Sequence, residues 1–166
     1  PGWRDAAVAS RFAEHRPGDQ VPPPVDTDVL VTYDDEHFYV AYICYDDPAT
    51  VRASLSERDN IWADDTVVTV LDTYGDQVFA YELGVNPYGL QGDALWSSGA
   101  GEDDGYDAIY HSAGRLTERG WQVELAIPFS SLRFPDTPEQ LWRVDFWRNR
   151  PREVRGEYSW AAYDRD

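Results

Sequence analysis

The run Gly120-Trp121-Gln122-Val123-Glu124-Leu125-Ala126-Ile127-Pro128 decides the fold class. Trp121, Val123, Leu125 and Ile127 alternate with Gln122, Glu124 and Ala126. Successive side chains of an extended chain point to opposite faces, so this period of two predicts a strand with one face in a core and the other in water. Pro128 closes it, having no N–H to give to a ladder.

Segments of the same kind lie on both sides. Thr27 to Tyr33 places Val29, Val31 and Tyr33 on one face, and Asp34-Asp35-Glu36-His37 follows as a polar turn. Phe38 to Tyr45 is apolar on both faces, as a central strand is. Thr66 to Leu71 is rich in Val and ends at Asp72, with a turn around Gly75-Asp76. Val78 to Val85 sets Phe79, Tyr81, Leu83 and Val85 on one face. Ala108 to Leu116, Leu141 to Trp147 and Glu157 to Ala162 complete the set, and Phe129 to Leu132 reads as one helical turn. Trp3 to Val25, broken by Pro17-Gly18 and Pro22-Pro23-Pro24, reads as a wrapping loop with one short strand. Asn86 to Asp107 reads as a long Gly- and Asp-rich loop. About eight or nine short strands at this spacing predict an all-β, antiparallel sandwich with long acidic loops. Residues 1–166 are expected to form one domain.

No apolar run approaches the roughly 18 residues of a membrane helix. The chain opens at Pro1 and holds no Met, and is expected to be an excerpt of a larger protein. The only thiol, Cys44, lies in an apolar run and is expected to be a small buried hydrophobe. The net charge is −17, all 14 basic residues are Arg, and Asp outnumbers Glu by 21 to 10. Such a field repels phosphate backbones, so no nucleic acid is expected as a partner. It suits calcium and a salty habitat, while the lack of Lys beside many Arg, Ala, Gly and Pro equally fits a GC-rich genome.

No P-loop, G-x-S-x-G or H-E-x-x-H sequence is present. A glycosidase-like carboxylate pair, for instance Asp65 with Glu82, is a chance expectation among 31 acids. The better metal candidates are Asp34-Asp35, Asp46-Asp47, and Asp64-Asp65 with Asp72, since loop carboxylates suit the flexible coordination of calcium. The same residues also serve as acceptors for turn amides. Seven Trp and eleven Tyr are many for this length, and aromatic faces stack on the apolar face of a pyranose. Trp121 and Trp142 fall on alternating strands and are assigned to packing. Trp62 and Trp96 lie in polar, loop-like surroundings, where contact and packing are both open.

Asn60-Ile61-Trp62-Ala63-Asp64-Asp65-Thr66-Val67-Val68-Thr69-Val70-Leu71-Asp72 resembles the Trp-x-x-Asp-x-Val-x-x-x-x-Asp segment of family 9 carbohydrate-binding modules. Tyr33-Asp34-Asp35-Glu36-His37-Phe38-Tyr39-Val40-Ala41, Val85-Asn86, Gly120 to Pro128 and Ser159-Trp160 are similar to further landmarks of that family, in the same order. Leu71-Asp72-Thr73-Tyr74, Asn86-Pro87-Tyr88-Gly89, Gln91-Gly92-Asp93 and the stretch 127–135 resemble the family 9-like domain at the front of large bacterial proteins that continue into an outer-membrane barrel.

The resemblance implies a jelly-roll-like sandwich and a non-catalytic, sugar-binding role beside a C-terminal partner domain. It also implies an extracellular or bacterial cell-surface location. By it, Trp62 and Asn86 are expected contacts to a poly- or oligosaccharide; with them the residues offer Tyr88 and Trp96 as further contacts, and Asp46, Asp47, Asp64, Asp65 and Asp72 as the expected ligands of Ca2+. Three departures matter. The family's acidic residue is Val68 here and its Arg is Gly84, while its second Trp lies beyond Ser159-Trp160, at or past the end of the chain. The alternative expectation is therefore an assembly module, self-associating or docked on its own barrel, whose sugar site has degenerated.

Overall fold

The structure, a computed structural model, describes residues 2–161. In chain order the strands are β1 (Ala7–Ala9), β2 (Ala13–Arg16), β3 (Thr27–Tyr33), β4 (His37–Tyr45), β5 (Thr66–Asp72), β6 (Phe79–Val85), β7 (Gln91–Ser97), β8 (Gly101–Asp103), β9 (His111–Thr117), β10 (Gly120–Pro128), β11 (Arg143–Arg150) and β12 (Gly156–Ser159). They form two antiparallel sheets, ordered β1-β3-β4-β10-β9 and β2-β12-β11-β5-β6-β7-β8. The all-β antiparallel sandwich expected from the sequence is what the chain forms.

The deciding run is β10, and its alternation holds. Trp121, Val123, Leu125 and Ile127 are buried, while Glu124 faces water. They pair with Cys44, Tyr42, Val40 and Phe38 of β4. The core lies between the sheets, where Tyr81, Leu83, Val85 and Phe146 meet them from the other side. Tyr42 crosses the gap, donating from its hydroxyl to the Val68 carbonyl at 3.0 Å and packing edge-on against Phe146. Cys44 is buried as expected, and burial pushes its thiol up to about 12.

Four strands exceed the eight read most plainly from sequence. The N-terminal wrap holds two short strands, not one. Asn86 to Asp107 is not one long loop, because it contains the β7–β8 hairpin, which extends the larger sheet. The physical reason for that miss is composition. The outward positions Gly92 and Ala94 are small, and the inward position Asp93 is polar, so β7 has no apolar alternation to read. Accordingly β9 starts at His111, where a strand from Ala108 was expected. The longest loop among the described residues is 46–65, with one 3-10 turn at Pro48–Thr50.

Candidate functional site

The outer face of the seven-stranded sheet follows from the register. Tyr81, Leu83 and Val85 point into the core, so Ala80, Glu82 and Gly84 of β6 point out. Residues paired across strands share a face. One outward row is therefore Trp147, Val68, Gly84 and Gly92; the next is Asp145, Val70, Glu82 and Ala94; the next holds Ala80, Trp96 and Glu102.

Trp62 comes from the 46–65 loop and lies over the paired glycines. A Cβ at Gly84 would stand 2.8 Å from Trp62 Cη2, and one at Gly92 would stand 3.0 Å from Cζ2. The indole is partly buried, with its benzo edge, Cζ2, Cη2 and Cζ3, against the two glycines. The loop that carries it is tied down at several points. Asp65 accepts from the Arg52 amide at 2.7 Å, and Asp64 from the Ser54 amide at 3.0 Å. Arg58 donates to Asp93, to Gln91 and to the Ala108 carbonyl, joining the loop to β7. Asp59 accepts from the Asp93 amide at 3.1 Å. Ile61 is fully buried, and the Trp62 carbonyl accepts from Arg155 at 2.8 Å. Trp62 is thus placed by a braced loop.

Glu82 is the polar group of this face. It is 8 % exposed, and among the described residues nothing donates a hydrogen bond to its carboxyl. Burial, and then the nearby charge of Glu102, raise it to about 7. Trp147 is fixed by Asp145, whose Oδ2 accepts from the indole Nε1 at 2.7 Å. Burial pushes the Asp145 carboxyl up, against the donors that hold it from Ala161, Trp147 and Phe146.

The expected contacts separate. Trp62 is on the face. Trp96 is too, but on strand β7 where a loop was expected, and 36 % exposed. Tyr88 is exposed in the β6–β7 turn, at the far end of β7 from Trp96. Asn86 does not belong with them. It is fully buried; its Nδ2 donates to Asp64 and to the Ser54 carbonyl, both at 3.0 Å, and its Oδ1 accepts from the Tyr88 and Leu90 amides. Both donors and both lone pairs are used, leaving nothing for a sugar.

The five candidate calcium ligands are also engaged. Asp46 accepts from Arg148 at 3.0 Å, Arg150 at 2.7 Å and Arg152 at 3.0 Å, and Arg152 also reaches Asp65 at 2.8 Å. Asp47 caps the 3-10 turn through the Ala49 amide, and Asp72 accepts from the Gly75 and Gln77 amides. Among the described residues no three His, Cys, Asp or Glu side chains are grouped so as to hold a metal ion. Calcium needs several free oxygens at one point, and guanidiniums occupy that place at Asp46. Asp65, bound to Arg152, is not among the charges acting on Glu82, so that pair does not form either.

Sequence reading passed over Trp147, Arg58 and the outward placing of Glu82. The signal for Glu82 was present: one acid in the apolar run 79–85, on the face opposite Tyr81 and Leu83.

No protein-family model and no curated protein matches the sequence. Solved structures do match. The chain is similar to a candidate carbohydrate-binding protein from Bacteroides uniformis, with a TM-score of 0.71 and 15 % identity over 97 % of this chain and 80 % of that one. It is similar to a family 9 carbohydrate-binding module from Caldicellulosiruptor kristjanssonii in complex with cellotriose, with a TM-score of 0.68 and 16 % identity over 98 % of this chain and 75 % of that one. At this identity the likeness establishes architecture: the chain has the β-sandwich fold of the family 9 carbohydrate-binding modules.

Proposed function

We propose that the outer face of the seven-stranded sheet binds an oligo- or polysaccharide without transforming it. The observation that carries this is the indole of Trp62, held by a braced loop over two paired glycines beside an unpartnered carboxyl. A sugar ring would stack on Trp62, and its polar edge would meet Glu82. Trp96 lies four residues from Gly92 along β7, about 13 Å, which suits a second sugar unit further along the chain of a ligand. The fold shared with a module that binds cellotriose supports the same reading.

The setting proposed is a secreted or surface protein in which this domain holds a neighbouring C-terminal domain close to glycan; the stretch 127–135 and its companion phrases support it. Calorimetric titration with cello-, xylo- and chito-oligosaccharides tests the binding. Saturable heat with one class, lost in Trp62→Ala while the melting transition persists, is the expected result. Absence of heat with every class, at protein concentrations that detect millimolar affinity, would overturn it.

A further inference from the structure

A second concave site lies at the end of the sandwich where the β3–β4 turn meets the segment between β10 and β11. It is an open cleft of about 700 Å³, within the ~300–1,000 Å³ of small-molecule sites. Four aromatic rings line it. Trp142 stands at their centre, with the ring centroids of Phe38, Phe129 and Phe134 at 5.9, 5.9 and 5.6 Å. These rings are inclined to the indole by 59°, 78° and 48°, so they surround a space and do not stack into one plate. Phe38, Phe134 and Trp142 also pack against the core, which fixes them. Trp142 is five residues from Trp147, about 17 Å along an extended chain, so the cleft is separate from the outer face that carries Trp62.

The polar groups of the cleft are few, and most are in use. Asp34 Oδ1 accepts from the amides of Glu36 and His37, and Oδ2 from the Tyr39 hydroxyl, all at 2.8 Å. The Gln140 amide nitrogen donates to the Pro135 and Thr137 carbonyls, both at 2.8 Å, and its oxygen accepts from the Trp142 indole at 3.3 Å. The Phe129 amide donates to the Glu36 carbonyl at 2.9 Å, tying one wall to the other. What remains is the exposed carboxylate of Glu139, the hydroxyl of Tyr33 and the charge of Asp34. The Glu36 amide, the Tyr39 hydroxyl and the His37 amide hold the Asp34 carboxyl below its usual range, so it carries that charge. Among the described residues no Arg or His lines the cleft.

We infer that this cleft binds a quaternary ammonium group of the choline type, carried on a small molecule. The inference is independent of the carbohydrate-binding reading above. Three features of the cleft select this chemistry. Ring faces attract a cation, the more strongly where water is displaced. The methyl groups of a quaternary ammonium bury against Phe38, Phe129, Phe134 and Trp142 and ask for no hydrogen bond. A primary ammonium or a set of sugar hydroxyls would leave donors short of partners here, because Asp34 and Gln140 are already engaged. The carboxylates of Asp34 and Glu139 fix the sign of the charge that is accepted. A trimethylammonium compound that also bears a carboxylate is therefore disfavoured.

Four compounds titrated at fixed ionic strength test this, followed by NMR of the indole N–H signals with the Trp142 signal assigned by Trp142→Phe. They are choline, its neutral carbon isostere with a tert-butyl group in place of trimethylammonium, ethanolamine and betaine. The isostere has the shape without the charge, ethanolamine the charge without the methyl groups, and betaine an added carboxylate. The expected result is saturable displacement of the Trp142 signal by choline, with affinity about tenfold above that of the neutral isostere, and ethanolamine and betaine weaker than choline. Glu139→Gln, at an exposed side chain, is expected to weaken choline severalfold and to leave the isostere unchanged. Glu118→Gln, which removes the same charge at the exposed β9–β10 turn, and Trp62→Ala are expected to leave choline binding as it was. The isostere, ethanolamine or betaine binding as tightly as choline would overturn the inference. Equal weakening by Glu139→Gln and Glu118→Gln would overturn it in favour of net charge alone, and loss of choline binding in Trp62→Ala would do so in favour of the outer face. No saturable shift with choline would remove the site and leave the sugar-binding reading standing, since that reading is tested with oligosaccharides.

Discussion

Gly84 lies against the benzo edge of Trp62, so close that a single added carbon at residue 84 would stand 2.8 Å from Cη2 and equally close to the Gly92 carbonyl oxygen. Gly84→Ala must lift the ring or spread β6 from β7. Overpacking of this kind costs about 1–3 kcal/mol, a fall of some 2–10 °C in melting midpoint for a domain of this size. Because the displaced indole is no longer held where it was, sugar affinity is expected to fall further than stability does. Titration beside thermal melting checks this, and unchanged affinity would place the ligand elsewhere.

Asp46 and Arg148 form the most deeply buried ion pair among the described residues, with side chains 1 % and 0 % exposed. Arg148 also donates to the carbonyls of Asp26 and Tyr45 and to the Thr27 hydroxyl, and stands over the ring of Trp121. Removing one partner of a buried pair leaves an uncompensated charge, so Asp46→Asn is expected to cost about 3–5 kcal/mol in urea unfolding. Burial works against the Asp46 carboxylate, but the Arg150 hydrogen bond and the charges of Arg148, Arg150 and Arg152 hold it below the usual range. Its stabilising contribution is thus present above the ordinary carboxylate pKa and lost as pH falls through the depressed one. Chelator is expected to leave the melting midpoint where it is, since arginines already neutralise this carboxylate. A midpoint that drops with chelator would show a calcium site after all.

Glu82 acts in the opposite direction. Its folded pKa, about 7, lies above the unfolded value, so folding favours the protonated form. The domain loses stability as pH rises between the two values and then levels off. Glu82→Gln cannot ionise, so it is expected to melt several degrees higher than the unaltered chain at alkaline pH and equally at acid pH. Equal shifts at both pH values would mean that the carboxyl is solvated.

Asn86→Ala should behave as a core mutation. It strips partners from Asp64 and from the Tyr88 and Leu90 amides together, and each buried group left unsatisfied costs about 1–3 kcal/mol. Destabilisation with sugar affinity preserved per folded molecule is the expected outcome. The reverse pattern, lost affinity in a protein of full stability, would return Asn86 to the site.

Much of the sandwich is legible locally. The alternation of β10 and β6 places Trp121, Leu125, Tyr81 and Leu83 inward without reference to any other segment. β7 was not legible, because its fit is supplied from outside: Trp62 covers Gly92, and Arg58 satisfies Asp93. Neither relation leaves a period in the sequence. The same holds for the five aspartates. Asp46 reads as a loop acid, and only the fold brings three arginines of the 148–152 segment onto it.

By itself, then, the sequence determined the class of fold, the inward face of each alternating strand, and the buried thiol of Cys44. Those properties depend on backbone period and side-chain type, which are local. The tertiary structure alone decided that Asn86 is a brace, that Asp46 is an anchor for arginines, and that Glu82 is an unpartnered carboxyl near neutrality. Each of these is a property of what surrounds a group: β11 and Arg152 just beyond it carry arginines to Asp46, the 46–65 loop brings Ser54 and Asp64 to Asn86, and pairing of β6 with β5 and β7 turns Glu82 outward.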